Sequence, residues 1–189
     1  MQVTTFKRAI LRPTSTRRRI LAIAALGFLL GGCFDTKDAK FPLGSGTPAL
    51  GEGGRFTAYS DQAEGGRYQK SESIAIKRRD SGGYEITDEK GETHVIYLQA
   101  ISGGRYVLQK WDDTITRYVY LIVRITPKEV LVYNPPCEEQ RDRAKLETLG
   151  VEFYSTLECR IDSVKDPAAL LATVDLGEPS ERLVRESQK

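Results

Sequence analysis

Three cysteines and one histidine are the residues of this 189-residue chain best suited to nucleophilic or near-neutral acid–base chemistry. Cys33 closes an apolar stretch and follows Leu30-Gly31-Gly32, while Cys137 and Cys159 stand 22 residues apart. His94 opens a strand-like run. A histidine base needs a nucleophile and an orienting group, and no G-x-S-x-G motif supplies them, so a satisfied or solvated side chain is expected. Asp112-Asp113 beside Trp111 has the composition of a sugar-cleaving carboxylate pair. Neighbours on a strand point to opposite faces, however, so the pair reads as an Asp-Asp-Thr turn. Tyr97, Tyr106, Trp111, Tyr118 and Tyr120 are concentrated in β-like segments. Amphipathic rings of this kind either build a binding surface or cavity, or serve as cross-strand packing.

The stretch around Cys33 is the most specific of these signals. Residues 1–19 carry Lys7, Arg8, Arg12, Arg17, Arg18 and Arg19 and no acid, and an uncharged apolar run follows over residues 20–30. Eleven residues rise only about 16 Å as a helix, too short for a bilayer core of about 30 Å, which makes this an export signal. With Leu30-Gly31-Gly32-Cys33 at its end, the stretch resembles the lipobox signal of bacterial lipoproteins. The resemblance implies cleavage between Gly32 and Cys33, lipidation of Cys33, and a membrane partner reached through the acyl chains. Thr16-Arg17-Arg18-Arg19-Ile20-Leu21 is similar to a twin-arginine export motif, but Arg-Arg is common by chance in basic n-regions, so the general unfolded-chain route is the expectation. Phe34 follows the cysteine where lipoproteins retained in the inner membrane carry Asp, which implies sorting to the periplasmic face of the outer membrane.

Removal of residues 1–32 takes away six of the 28 Lys and Arg and none of the 26 acids, leaving 22 bases against 26 acids. The mature chain is acidic, so no nucleic-acid partner is expected. With Cys33 lipidated in an oxidising compartment, Cys137 and Cys159 are expected to form a disulfide. The alternative, a redox-active pair, more naturally has C-x-x-C spacing. One histidine, no spare thiol and no EF-hand loop leave no metal site or cofactor to expect.

The elements that position these residues follow from pattern. Glycines precede an aromatic at Gly53-Gly54-Arg55-Phe56, Gly65-Gly66-Arg67-Tyr68, Gly82-Gly83-Tyr84 and Gly103-Gly104-Arg105-Tyr106. Such pairs supply the positive φ of hairpin turns. Strands are predicted over 55–59, 73–79, 84–88, 93–101, 106–111, 117–126 and 129–134. In the sixth, Val119, Leu121, Val123 and Ile125 form an aliphatic face opposite Tyr118, Tyr120, Ile122 and Arg124. Seven strands with short turns favour an antiparallel meander curled into a barrel or strongly bent sheet of about seven or eight strands. After Pro135-Pro136 a helix is predicted over 138–149, a short strand over 157–161, and a second helix over 162–174 with Ser163 or Asp166 as cap and Pro167 in its first turn. The chain divides into a signal (1–32), a lipidated Cys33 with a flexible tether (33–54), a β-rich domain with two short C-terminal helices (55–176) and a frayed tail (177–189).

Ser102-Gly103-Gly104-Arg105-Tyr106 with Trp111 is similar to the S-G-x-x-Y…W segment of membrane-bound lysozyme inhibitors, themselves β-barrel lipoproteins. The chain departs from that family where Asp112-Asp113 replaces the expected Lys-Gly. The mature domain as a whole resembles small β-rich envelope lipoproteins of uncharacterised activity. The expectation is a non-enzymatic module, anchored to the outer membrane, that binds an envelope protein. A lipocalin-like carrier of a small apolar ligand is the alternative, and a lysozyme-inhibitor-like protein a minor one. An open inner cavity favours the carrier, whereas a filled barrel with exposed aromatics favours the binding module.

Overall fold

Alternation of apolar and polar side chains runs through seven consecutive antiparallel strands, and an eighth from the C-terminal segment closes them into a barrel. The computed structural model describes residues 34–44, 46–61, 68–137, 140–155 and 158–187. The readings that fall on residues 1–33, including cleavage at Gly32 and lipidation of Cys33, lie outside the described residues. In chain order the elements are β1 (Phe34–Thr36), β2 (Gly53–Asp61), β3 (Tyr68–Arg78), β4 (Tyr84–Thr87), β5 (Thr93–Ile101), β6 (Arg105–Asp112), β7 (Arg117–Ile125) and β8 (Glu129–Tyr133). They continue with α1 (Arg143–Thr148), β9 (Glu152–Phe153), β10 (Cys159–Arg160), α2 (Pro167–Thr173) and β11 (Glu181–Arg185). Around the barrel the order is β2-β3-β4-β5-β6-β7-β8-β11, and β11 pairs back onto β2.

Inward residues on every barrel strand make one core, with Phe56, Ile74, Ile86, Ile96, Leu98, Leu108, Leu121, Val123, Val130, Val132 and Leu183 among its members. A second core lies outside the wall, where Val107, Tyr120, Ile122 and Tyr133 meet Phe34, Phe41, Leu146, Val151, Ile161, Leu170 and Leu171. β7 serves both cores with its two faces. Its edge is shared in succession as well: residues 122–125 pair with β8, and residues 118–120 pair with β1. β1 in turn pairs in parallel with β10, and β10 with β9.

Gly82-Gly83 and Gly103-Gly104 form the predicted turns, each with positive φ. Gly53 opens β2 at φ +98°, where a Cβ would stand 2.0 Å from the Ile76 carbonyl oxygen, so no other residue fits without moving the wall.

Three sequence expectations require correction. Residues 34–54 are not a slack tether. Phe34 is 0 % and Asp35 2 % exposed in β1, Phe41 enters the outer core, and Leu50 seals the barrel end beneath Tyr84. The buried Gln109 holds this segment down: its Oε1 accepts from the Lys40 and Phe41 amides at 3.0 Å each, and its Nε2 donates to the Phe41 carbonyl. Single apolar residues that plug separate sites leave no periodicity to read. The frayed tail expected over 177–189 instead contains β11, which closes the barrel. Its Glu-Arg-Leu-Val-Arg sequence hides one inward apolar residue, Leu183, among charges. The first helix begins at Arg143 rather than 138, since Gln140 is committed elsewhere: its Nε2 donates to the Pro136 and Asp175 carbonyls, and its Oε1 accepts from the Asp175 amide. The second helix begins at Pro167, where the Asp166 carboxylate accepts from the Ala169 amide at 2.9 Å.

Candidate functional site

Cys137 and Cys159 are joined by a disulfide across a Cα–Cα distance of 5.7 Å. The bridge sits in the outer core and ties the approach to α1 to β10, the strand that flanks β1. The five aromatic residues read as either a binding surface or cross-strand packing do not gather into one patch. Tyr120 is fully buried, and its hydroxyl interacts with Thr36, the Lys40 amide and Gln109 Oε1. Burial pushes its pKa up to about 12, against smaller lowering effects from Thr36 and the Lys40 amide. Tyr106 packs against the barrel interior. Tyr97 lies half-buried on the outside, beside Gly83. Only Trp111 and Tyr118 meet, edge to face at 5.0 Å.

That pair belongs to the β6–β7 hairpin, which is shaped by its own polar contacts. Asp112 Oδ1 accepts from the Thr114 amide and hydroxyl, and Asp113 Oδ1 accepts from Trp111 Nε1 at 2.7 Å. The two carboxylates act separately, as a turn requires. Trp111 is 38 % and Ile115 42 % exposed. Thr116 has φ 53°, the one non-glycine left-handed residue among the described residues, and a β-branched side chain is costly there.

Beside the hairpin, Arg117 bridges two carboxylates, Asp35 on β1 and Asp162 after β10. Burial acts against the charge of all three groups, with different outcomes. It dominates for Asp35, whose pKa is raised despite Arg117, because that carboxylate is the deepest. Asp162 lies nearer the surface, so the Lys37 amide and Arg117 outweigh burial and hold its pKa low. In Arg117 the bonds to Asp162 and Asp35 prevail over burial and raise its pKa.

The barrel interior holds a second set of ionisable groups that the sequence reading missed. Alternation carries Glu72, His94, Lys110, Asp112 and Glu181 onto the same inward face as Ile74, Ile96, Leu108 and Leu183, and all five stand toward one mouth. Glu181 is 7 % exposed, and its Oε2 has no hydrogen-bond partner. Burial, aided by repulsion from Glu72, raises its pKa to about 9. Burial lowers that of Lys110, which Asp112 only partly offsets, and burial followed by Lys110 lowers that of His94. His94 is partly exposed, and its Nε2 is buried without a hydrogen-bond partner. The signal was present as parity, in Leu108-x-Lys110-x-Asp112 and Glu181-x-Leu183.

Beneath this mouth the interior is filled. A cavity of about 20 Å³ remains, lined by aliphatic side chains including Ile76, Ile96, Leu108 and Val132, which is the space of about one water molecule. A larger groove of about 550 Å³ lies outside, between α1 and α2, lined by Leu149, Val164, Ala169, Leu170, Lys145 and Lys165. Among the described residues no group of three or more His, Cys, Asp or Glu is placed to hold a metal. Comparison of the chain with protein-family models, with curated proteins and with solved structures found no match in any of the three.

Proposed function

We propose that the protein is a lipid-anchored, non-enzymatic lipoprotein on the periplasmic face of the outer membrane, and that it binds an envelope protein through the β6–β7 hairpin. One observation carries the binding part: a filled barrel presents Trp111, Ile115 and the partly buried Tyr118 on a hairpin containing the strained Thr116. Aromatic residues held rigidly at a surface are favoured anchors for a protein partner, and strain concentrates where function requires it. The lipobox-like Leu30-Gly31-Gly32-Cys33 supports the anchor.

Photo-crosslinking of the lipidated protein in its own envelope tests both parts. A crosslinker at Ile115 is expected to capture one protein, and Trp111→Ala to reduce that capture by about tenfold or more. Co-purified lipid with no protein adduct would instead favour a carrier of a small apolar ligand. That second reading draws on the groove between α1 and α2, whose volume lies in the range of small-molecule sites. Separately, Cys33→Ser is expected to abolish acyl labelling and release the protein from membranes.

A further inference from the structure

Phe34 is fully buried in β1, held between β7 and β10, and Asp35 behind it is pinned by Arg117. The next residue toward the N-terminus is Cys33. Consecutive Cα atoms are about 3.8 Å apart, so a lipid on Cys33 starts within a few ångströms of the folded wall. No linker exists to hold the domain away from the bilayer. The face surrounding the start of β1 must therefore lie near the headgroups, and its composition becomes informative.

β1 and β10 are parallel, with Phe34 opposite Cys159 and Asp35 opposite Arg160. Followed backward, β1 thus heads toward Glu158, whose carbonyl accepts from the Tyr154 and Ser155 amides at 3.0 and 3.4 Å. Tyr154 is 64 % exposed, the most exposed large hydrophobic side chain among the described residues. The Arg160 guanidinium lies 3.5 Å from the centre of its ring, and that of Arg143 lies 4.0 Å from the centre of Phe153. A tyrosine with an arginine stacked on it suits a membrane interface, where the ring enters the acyl boundary and the cation meets phosphate. Arg143 also meets Glu147 at 3.4 Å, and Glu152 and Glu158 lie in the same stretch, so the charges there are mixed and the contact needs no anionic lipid.

We propose that the surface formed by Tyr154 with Arg160, and by Phe153 with Arg143, is a second membrane contact that mounts the domain flush against the lipid headgroups beside the anchored cysteine. This rests on the lipid-anchor reading. The test uses the mature lipidated protein in phosphatidylcholine vesicles, with a fluorophore on Tyr154→Cys or, as control, on Ala75→Cys of β3 across the barrel. Quenching by a headgroup-depth spin-labelled lipid is expected to be about threefold or more greater at 154 than at 75, and unchanged at about 0.5 M salt. Equally weak quenching at both sites, in protein that floats with the vesicles and carries an acyl chain on Cys33, overturns the flush mounting alone. Protein that lacks the acyl chain and fails to float overturns the anchor reading and this proposal with it.

Discussion

Two places in this molecule bury carboxylates, and they do so in opposite ways. At the β1 flank, Asp35 and Asp162 share Arg117, which outweighs burial at Asp162, offsets it in part at the deeper Asp35, and fixes the strand. At the barrel mouth, Glu181 faces Glu72 and leaves an oxygen unpartnered, so burial is resolved by keeping a proton. The first arrangement builds structure around β1. The second stores a penalty inside the barrel that grows when the proton is removed. The contrast predicts that mutations at the two places differ in sign.

The largest effect is expected at the flank. Arg117→Ala leaves two carboxylates without their cation and is predicted to destabilise the fold by about 3–5 kcal/mol in urea unfolding. A loss under about 1 kcal/mol would mean that β1 is not integral. Cys159→Ser follows, with about 3 kcal/mol lost through the 22-residue separation it no longer closes. At the mouth the sign reverses. The unfolded Glu181 carboxyl ionises near 4.5 and the folded one near 9, so its contribution is fully present below about pH 4.5 and is lost as pH rises toward 9. Glu181→Gln removes that slope: it is expected to match the wild type at pH 4 and to exceed it by about 2 kcal/mol at pH 6. Equal pH profiles would contradict the buried proton. The smallest effect is at the hairpin, where Thr116→Gly relieves the left-handed backbone and is expected to gain about 1 kcal/mol, read as a higher unfolding midpoint.

What the sequence made legible divides along similar lines. β7 was readable on both faces because each carries at least three apolar residues in strict alternation. The paired glycines gave away two hairpins because their positive φ excludes most other side chains. The disulfide followed from expecting an exported chain with two thiols left to pair. β1 was hidden because its three residues gain stability only from distant partners: Phe34 pairs with Tyr120 and Cys159, 86 and 125 positions away. β11 was hidden because its charges have tertiary uses: Arg182 donates to Glu129 at 2.5 Å, and Arg185 donates to the Gly53 carbonyl while covering Phe56. The polar mouth could have been found by carrying strand parity past the last apolar residue. The tyrosines misled because residue type does not report which side of the wall a strand presents.

The claim on which the rest depends is that the residues directly after Cys33 are built into the wall. Amide hydrogen exchange of the protein measures this at residues 34–37 against residues 118–120 of β7. The account predicts comparable, strong protection in both segments, lost together in Arg117→Ala. Exchange of 34–37 at the rate of an unstructured peptide, with 118–120 still protected, would contradict it.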